Sequence, residues 1–401
     1  MLEKIKAFLR KMIRWIRNFL LGIILLGLII FFFLAGTFVD RQRNTTILSP
    51  GEVPEVSAEA RRLHRNLVIA DWHSDNLLWD RDILSAHSWG HVDIPRLIQG
   101  GISIQVFDAV IKTPRGLNYE SNSGSTDNIT LLAMANRWPV STWFNLTERA
   151  LHQSKILHDA AEASPSLSII RNQSDLDLFL KLRNSNTNLV GGILSIEGMH
   201  ALEGDIENFD VLYEAGYRIM GLVHFFDNDL GGSSSGIEKG GLTPFGQQVV
   251  RRMDESSIII DLAHASEKLV DETLRLTKRP VIVSHTGVSG TFQSPRNLSD
   301  DQLKKIAERG GMIGIGFWEG AVGGTDVSSI VRAISHAVEV AGIDHVGLGS
   351  DFDGTTKTYF DASQIILLTE GLLQAGFNHD DITKIMGGNQ VKFLMSYLPP
   401  S

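Results

Sequence analysis

Five residues, Asp71-Trp72-His73-Ser74-Asp75, follow the apolar run Leu67–Ile69 almost directly. On a strand, residues i and i+2 share a face, so His73 and Asp75 would hold an imidazole and a carboxylate side by side. Both groups suit a divalent cation such as Zn²⁺. Other apolar runs stop at Glu197, His224, His264, His285 and Asp351. Singly, each has a structural reading: a buried His bonded to a carbonyl, Glu197 paired with an arginine, Asp351 capping a helix. Together they would gather uncompensated charge in one buried place, which is costly unless something neutralises it. The set reads as a two-metal hydrolytic centre. His73 and Asp75 would hold one ion, His264 and His285 the other, and Glu197 would bridge them with one oxygen to each. Two cations about 4 Å apart lower the pKa of a bridging water and polarise a scissile carbonyl. Asp351 would take the proton of the attacking water and deliver it to the leaving amine. His224, left without a metal partner, would bind the carbonyl oxygen or the oxyanion it becomes.

These residues need a frame that brings strand ends together. From Leu67 onward, short Val- and Ile-rich runs alternate with amphipathic segments, the rhythm of βαβ units and a parallel sheet. Strands are expected at Leu67–His73, Ile102–Ala109, Leu189–Glu197, Tyr217–His224, Ile258–His264, Val281–His285, Met312–Phe317 and Val346–Ser350. Between them, Thr243-Pro244 and Ser299-Asp300-Asp301 open helices, and 326–340 and 364–373 have helical periodicity. Eight such units suggest a closed (β/α)₈ TIM-like barrel, whose chemistry gathers at the carboxyl ends of its strands. An open nucleotide-binding sheet would want a Gly-x-Gly-x-x-Gly turn after the first strand, and none stands there.

The 401 residues, 43% hydrophobic, allow a substantial core. A net charge of −9 argues against a nucleic-acid partner. With no cysteine, any metal must be held by His, Asp and Glu, and a thiol nucleophile is ruled out. The N-terminus is a separate object. Lys4, Lys6, Arg10, Lys11, Arg14 and Arg17 precede an uncharged apolar run from Phe19 to Val39, long enough to cross a bilayer as one helix. The positive-inside tendency keeps the basic segment 1–18 in the cytoplasm and sends the rest outward. A cleaved signal peptide is the rival. The run is longer than a usual signal core and no Ala-x-Ala site follows, so an uncleaved anchor over 19–39 is expected. A linker over 40–60, holding Pro50, Gly51 and Pro54, and a barrel domain over 61–398 would follow.

From about Val68 to Leu394 the chain resembles the membrane dipeptidase (renal dipeptidase) family of zinc peptidases. The matching segments are Asp71-Trp-His-Ser-Asp75, Ser195-Ile-Glu-Gly198, Leu222-Val-His224, Gly241-Leu-Thr-Pro-Phe-Gly246, Ile260-Asp-Leu-Ala-His-Ala-Ser266, Val281-Ile-Val-Ser-His285, Arg296-Asn297, Gly347-Leu-Gly-Ser-Asp-Phe-Asp-Gly354 and Gly387-Gly-Asn389. The resemblance implies a barrel of the metal-dependent hydrolase type with two zinc ions on His73, Asp75, Glu197, His264 and His285. It implies that His224 and Arg296 bind the substrate and that Asp351 is the general acid and base; zinc-dependent hydrolysis of dipeptides, those with a C-terminal D-amino acid included, is the expected activity. Without it Arg296 reads as a surface arginine; with it, the guanidinium becomes a fork for the substrate carboxylate.

The chain departs from mammalian members, which carry disulfides and a C-terminal lipid-anchor signal. Here there is no cysteine, the end is the polar Leu398-Pro-Pro-Ser401, and the anchor is N-terminal, which favours a bacterial inner-membrane protein facing the periplasm. Trp318 stands where the family often has Tyr. The Ser-, Asn- and Gly-rich loops 112–130 and 227–241 would lie at the rim, the first as a lid or as a disordered insertion. Other readings stay open: hydrolysis of another small amide (a β-lactam or an N-acyl amino acid), a silent membrane-tethered binding protein, and a homodimer. His64, His87, His91, His152, His158, His336 and His379 are expected in helices or loops without a role.

Overall fold

A computed structural model describes residues 1–49 and 51–400; Pro50 of the expected linker and Ser401 lie outside the described residues. Eight parallel strands close into a barrel: β1 Ile69–Asp71, β2 Ile102–Val110, β3 Val190–Glu197, β4 Tyr217–Gly221, β5 Ile259–Asp261, β6 Ile282–Thr286, β7 Met312–Ile315 and β8 Val346–Leu348. Sequential neighbours pair throughout, and β8 returns to β1 at Leu348 and Asp71. The (β/α)₈ architecture is therefore the one the βαβ rhythm foretold. The longest ladder joins β2 to β3, from Ile104 opposite Gly191 to Val110 opposite Glu197. A short extra strand, Leu167–Ile169, pairs with the first residues of β3.

Most strands stop earlier than the apolar runs suggest. β5 ends at Asp261 and β8 at Leu348, because the chain turns away from ladder geometry to present its polar side chains. His264 and Asp351 both adopt left-handed backbone, with φ of 63° and 59°, a region L-residues seldom occupy and one that clusters at functional sites.

The barrel interior is filled by Ala70, Ile104, Val106, Ile193, Ile219, Ile259, Ile282 and Met312, one or two from each of seven strands. Trp72 and Phe393, 6.0 Å apart and edge-on, complete that cluster. Phe393 belongs to the C-terminal helix Asn389–Tyr397. Asn389 donates to the carbonyls of Ile343 and Val346 at 2.7 and 2.9 Å, fixing this helix at the start of β8. It thereby closes the amino end of the barrel and leaves the carboxyl end for the site.

The helices start where their caps dictate. Thr243 accepts the Gly246 N–H at 2.9 Å ahead of Pro244–Glu255. Ser299 and Gln302 form a capping box before Asp300–Glu308. Caps of this kind are each worth about 1 kcal/mol.

At the N-terminus, continuous helix runs from Leu2 to Arg43, 42 residues, through a π turn at Phe31–Ala35. Its last turn and the residues after it lie against the domain. Asp40 and Asn44 are buried, and Thr45-Thr46 pairs in parallel with Lys357-Thr358. The first part of the stretch read as a spacer is thus packed structure, because Asp40 and Asn44 carry polar groups that meet specific partners there.

Candidate metal centre at the barrel mouth

Glu197, at the end of β3, is the hub. Its Oε1 lies 2.9 Å from His264 Nε2, 3.4 Å from His285 Nε2 and 3.8 Å from His73 Nε2. Its Oε2 lies 2.9 Å from His224 Nε2. His73 Nε2 is 3.1 Å from Asp75 Oδ1 and 4.0 Å from Asp351 Oδ1. The strand β1 ends two residues before His73, so the pair stands on its continuation, yet the two side chains still converge. Four imidazoles and three carboxylates from six separate strand ends thus share one buried space.

The electrostatics follow from that crowding. Burial pushes the Asp75 carboxyl up to about 7, Glu197 adding to the effect and His73 opposing it. Asp351 is raised well above the usual carboxylate range, first by burial and then by Asp75 and Glu197, against the pull of His73 and Arg296. Burial works against the Glu197 anion as well, but His224 and His264 outweigh it and hold the group well below its usual range. His264 and His285 are lowered by burial, with Arg296 adding to both.

Two observations fit these residues to a metal. The Nε2 atoms of His264 and His285 face each other at 3.1 Å, and two neutral rings of this kind bring lone pair against lone pair unless a proton or a cation sits between them. His264 Nδ1, buried, has no hydrogen-bond partner among the described residues. Three overlapping groups place ligand atoms within 4.8 Å of one another: His73, Asp75 and Glu197; Glu197, His224 and His264; His73, His285 and Asp351. His224 and Asp351, expected to act on substrate and protons, therefore also lie within reach of a cation.

Arg296 is buried, not at the surface where residue type alone would put it. Its Nη2 donates to the His285 carbonyl at 2.8 Å, which holds the guanidinium over the mouth, and its charge acts on Asp351 and Glu197.

Several supporting residues escaped the sequence reading. Asp108, inside β2, lies 3.3 Å from His73 Nδ1, a carboxylate that orients a candidate ligand ring. Its signal was present: it shares the inward face with Ile104 and Val106. Asp261 accepts the N–H groups of Ala263 and Ser284, both at 2.9 Å, and so shapes the turns before His264 and His285. Asp71 accepts from Ser350 and Gln105, tying β1 to the end of β8. His91, given no role from sequence, accepts the Asp353 N–H at 2.8 Å.

Both rim loops are ordered and joined. Asn122 donates its backbone and side-chain N–H groups to the Ser235 carbonyl at 2.8 and 3.0 Å. Tyr119 receives the Trp318 indole N–H at 2.9 Å, and its hydroxyl is raised by burial, with Asp351 adding. The loop 112–130 is thus a fixed wall carrying an aromatic residue to the mouth.

The family model for membrane dipeptidase, Peptidase family M19, matches residues 57–396. Among curated relatives, an uncharacterized dipeptidase of Schizosaccharomyces pombe is 26% identical over 358 residues, covering 84% of this chain and 82% of that protein. Dipeptidase aclJ of Aspergillus oryzae is 25% identical over 347 residues, covering 81% and 77%. Among solved structures, a metallo peptidase from Rhodobacter sphaeroides bound to a phosphinate mimic of L-Ala-D-Ala shares the fold with a TM-score of 0.68 at 22% identity, covering 83% of this chain and 99% of that one. The probable dipeptidase PvdM from Pseudomonas aeruginosa does so with a TM-score of 0.70 at 20% identity, covering 85% and 97%. With the family match spanning the whole barrel, the chain belongs to the membrane dipeptidase family, Peptidase family M19, and is a metallo-dipeptidase.

Proposed function

We propose that this metallo-dipeptidase holds two divalent cations, zinc foremost, on His73, Asp75, Glu197, His264 and His285, with Glu197 between them. The observation that supports this best is the convergence of His73, His264 and His285 on the single oxygen Glu197 Oε1. Bound cations would polarise the scissile carbonyl and lower the pKa of a nearby water. Arg296 binds the substrate's free carboxylate through its fork. His224 hydrogen-bonds the carbonyl oxygen as negative charge develops on it. Asp351 removes the proton from the attacking water and passes it to the leaving amine. Tyr119 and Trp318 limit the length of chain that the mouth admits.

The substrate class is dipeptides, including those with a C-terminal D residue. The phosphinate mimic of L-Ala-D-Ala bound by the Rhodobacter sphaeroides relative supports the latter. The N-terminal helix crosses a membrane once with residues 1–18 in the cytoplasm and 19–39 in the bilayer. The catalytic domain, 61–398, then lies outside, on the periplasmic face of a bacterial inner membrane. The basic residues before the apolar run and the length of that run support this orientation.

Rates on a panel of L,L and L,D dipeptides, tripeptides, N-acyl amino acids and a β-lactam, with metal content measured on the same full-length sample, test the proposal. Turnover confined to dipeptides with two metal equivalents is the expected result. Turnover confined to N-acyl amino acids or the β-lactam would overturn the substrate reading.

A further inference from the structure

The N-terminal helix meets the catalytic domain before its apolar run has ended. Arg137 donates to the Phe32 carbonyl and lies 5.1 Å over the Phe33 ring. The Asn136 side chain occupies the space that a Cβ on Gly36 would fill. The helix Ile129–Ala135 packs along the π turn Phe31–Ala35. Contact is therefore made by Phe32, although the run extends to Val39.

Helix length turns this into a statement about depth. A hydrocarbon core of ~30 Å takes about 20 residues of helix. Counted outward from Arg17 and Asn18, the last polar residues before the run, it ends near Phe38. Phe19 to Phe31, which precede the contact at Phe32, cover about 20 Å at 1.5 Å each. The domain surface around Arg137 must then reach the level of the outer leaflet. That surface exposes large apolar side chains. Leu131, on the helix that packs along the π turn, is 46% exposed; Val140 and Phe144, on and after the short helix Val140–Trp143 packed against it, are 70% and 78% exposed.

We infer that Leu131, Val140 and Phe144 form a lipid-facing patch seated in the outer interface of the bilayer beside the anchor. This rests on the membrane-spanning reading proposed above. The patch and the helix together hold the barrel at one attitude on the membrane. Arg137 can bury its stem there while its guanidinium reaches polar partners, among them Asp80 at 2.7 Å.

The chain has no cysteine, so single cysteines report one place each. The full chain would be reconstituted into phosphatidylcholine vesicles with an environment-sensitive fluorophore at Val140→Cys, Phe144→Cys, Ile24→Cys or Leu178→Cys, and nitroxide-labelled lipid would be added as quencher. Ile24 lies within the apolar run. Leu178 is 58% exposed on the helix Gln173–Arg183, which packs on the C-terminal helix at the other end of the barrel. Dipeptidase activity of each variant shows that it is folded. Quenching at 140 and 144 about three-fold or more above that at 178, alongside strong quenching at 24, is the expected result. Quenching at 24 with 140 and 144 no different from 178 would overturn the patch and leave the anchor standing. No quenching at 24 would overturn both. Disulfide-linked dimers of Phe144→Cys without lipid quenching would overturn the patch by making it a contact between two copies.

Discussion

Arg81 meets the carboxylate of Asp353 at 2.8 Å, with both side chains buried. The same guanidinium meets Asp40, at the end of the N-terminal helix, at 3.0 Å. Asp353 also accepts the N–H groups of His91 and Val92 at 2.7 and 3.1 Å. Burial alone would raise its carboxyl, but Arg81 and His91 hold it well below the usual range. Asp351, two residues earlier, is thereby fixed at the mouth by a clamp that begins at the end of the N-terminal helix. Arg81→Ala leaves two buried carboxylates without their cation, and breaking a buried pair from one side costs about 3–5 kcal/mol. Chemical denaturation is expected to show a loss of that size, with Arg81→Lys recovering part of it. An unchanged midpoint would show that the clamp does not support the fold.

Asp351→Asn keeps the size of the side chain and removes its ability to take a proton. General acid and base catalysis contributes typically 10²–10⁴-fold, so kcat on a good dipeptide is expected to fall by about that factor. The thermal midpoint and the bound metal are expected to stay close to those of the parent. Near-parental turnover would remove Asp351 from the reaction.

Metal removal and pH are linked through the same carboxylates. Asp75 has a folded pKa of about 7 against an ordinary 3.8. A raised folded value means that the folded state holds the proton more tightly. This contribution is complete below the ordinary value and is lost as pH rises through about 7. Asp351 and His73, both raised, act in the same direction. Glu197, held low, acts in the opposite one: its contribution is present above the ordinary carboxylate range and is lost on strong acidification. Cations take deprotonated carboxylates and neutral imidazoles, so their stabilising effect grows with pH. His264 and His285, held low, make stability rise with pH up to their ordinary value of 6.5, so in chelator-treated protein the thermal midpoint is expected to fall above that value, where only the raised groups still titrate. The increment on adding Zn²⁺ or Mn²⁺ is expected to rise over the same interval, with dipeptidase activity returning. An increment that is absent or flat in pH would contradict the proposed ligand set.

What could be read in the sequence was what one segment encodes by itself. Apolar runs rich in Val and Ile marked the strands, and the polar residue ending each run named His73, Asp75, Glu197, His224, His264, His285 and Asp351. Caps such as Thr243-Pro244 and Ser299 marked helix starts, since a cap acts within three residues. The long apolar run after six basic residues marked the N-terminal helix. Beyond the gathering of strand ends that a closed barrel implies, relationships between distant segments were not legible, because they depend on barrel register and on which side chains the closed mouth leaves room for. Tertiary structure alone decided that Asp108 backs His73, that Arg296 is buried beside His285, and that the 112–130 loop lies against Ser235 and Trp318. It also decided that Arg81 joins Asp40 to Asp353. A charge enters a protein interior only with partners that compensate it, and for these residues the partners come from segments far apart in the chain, so only the closed barrel brings them together.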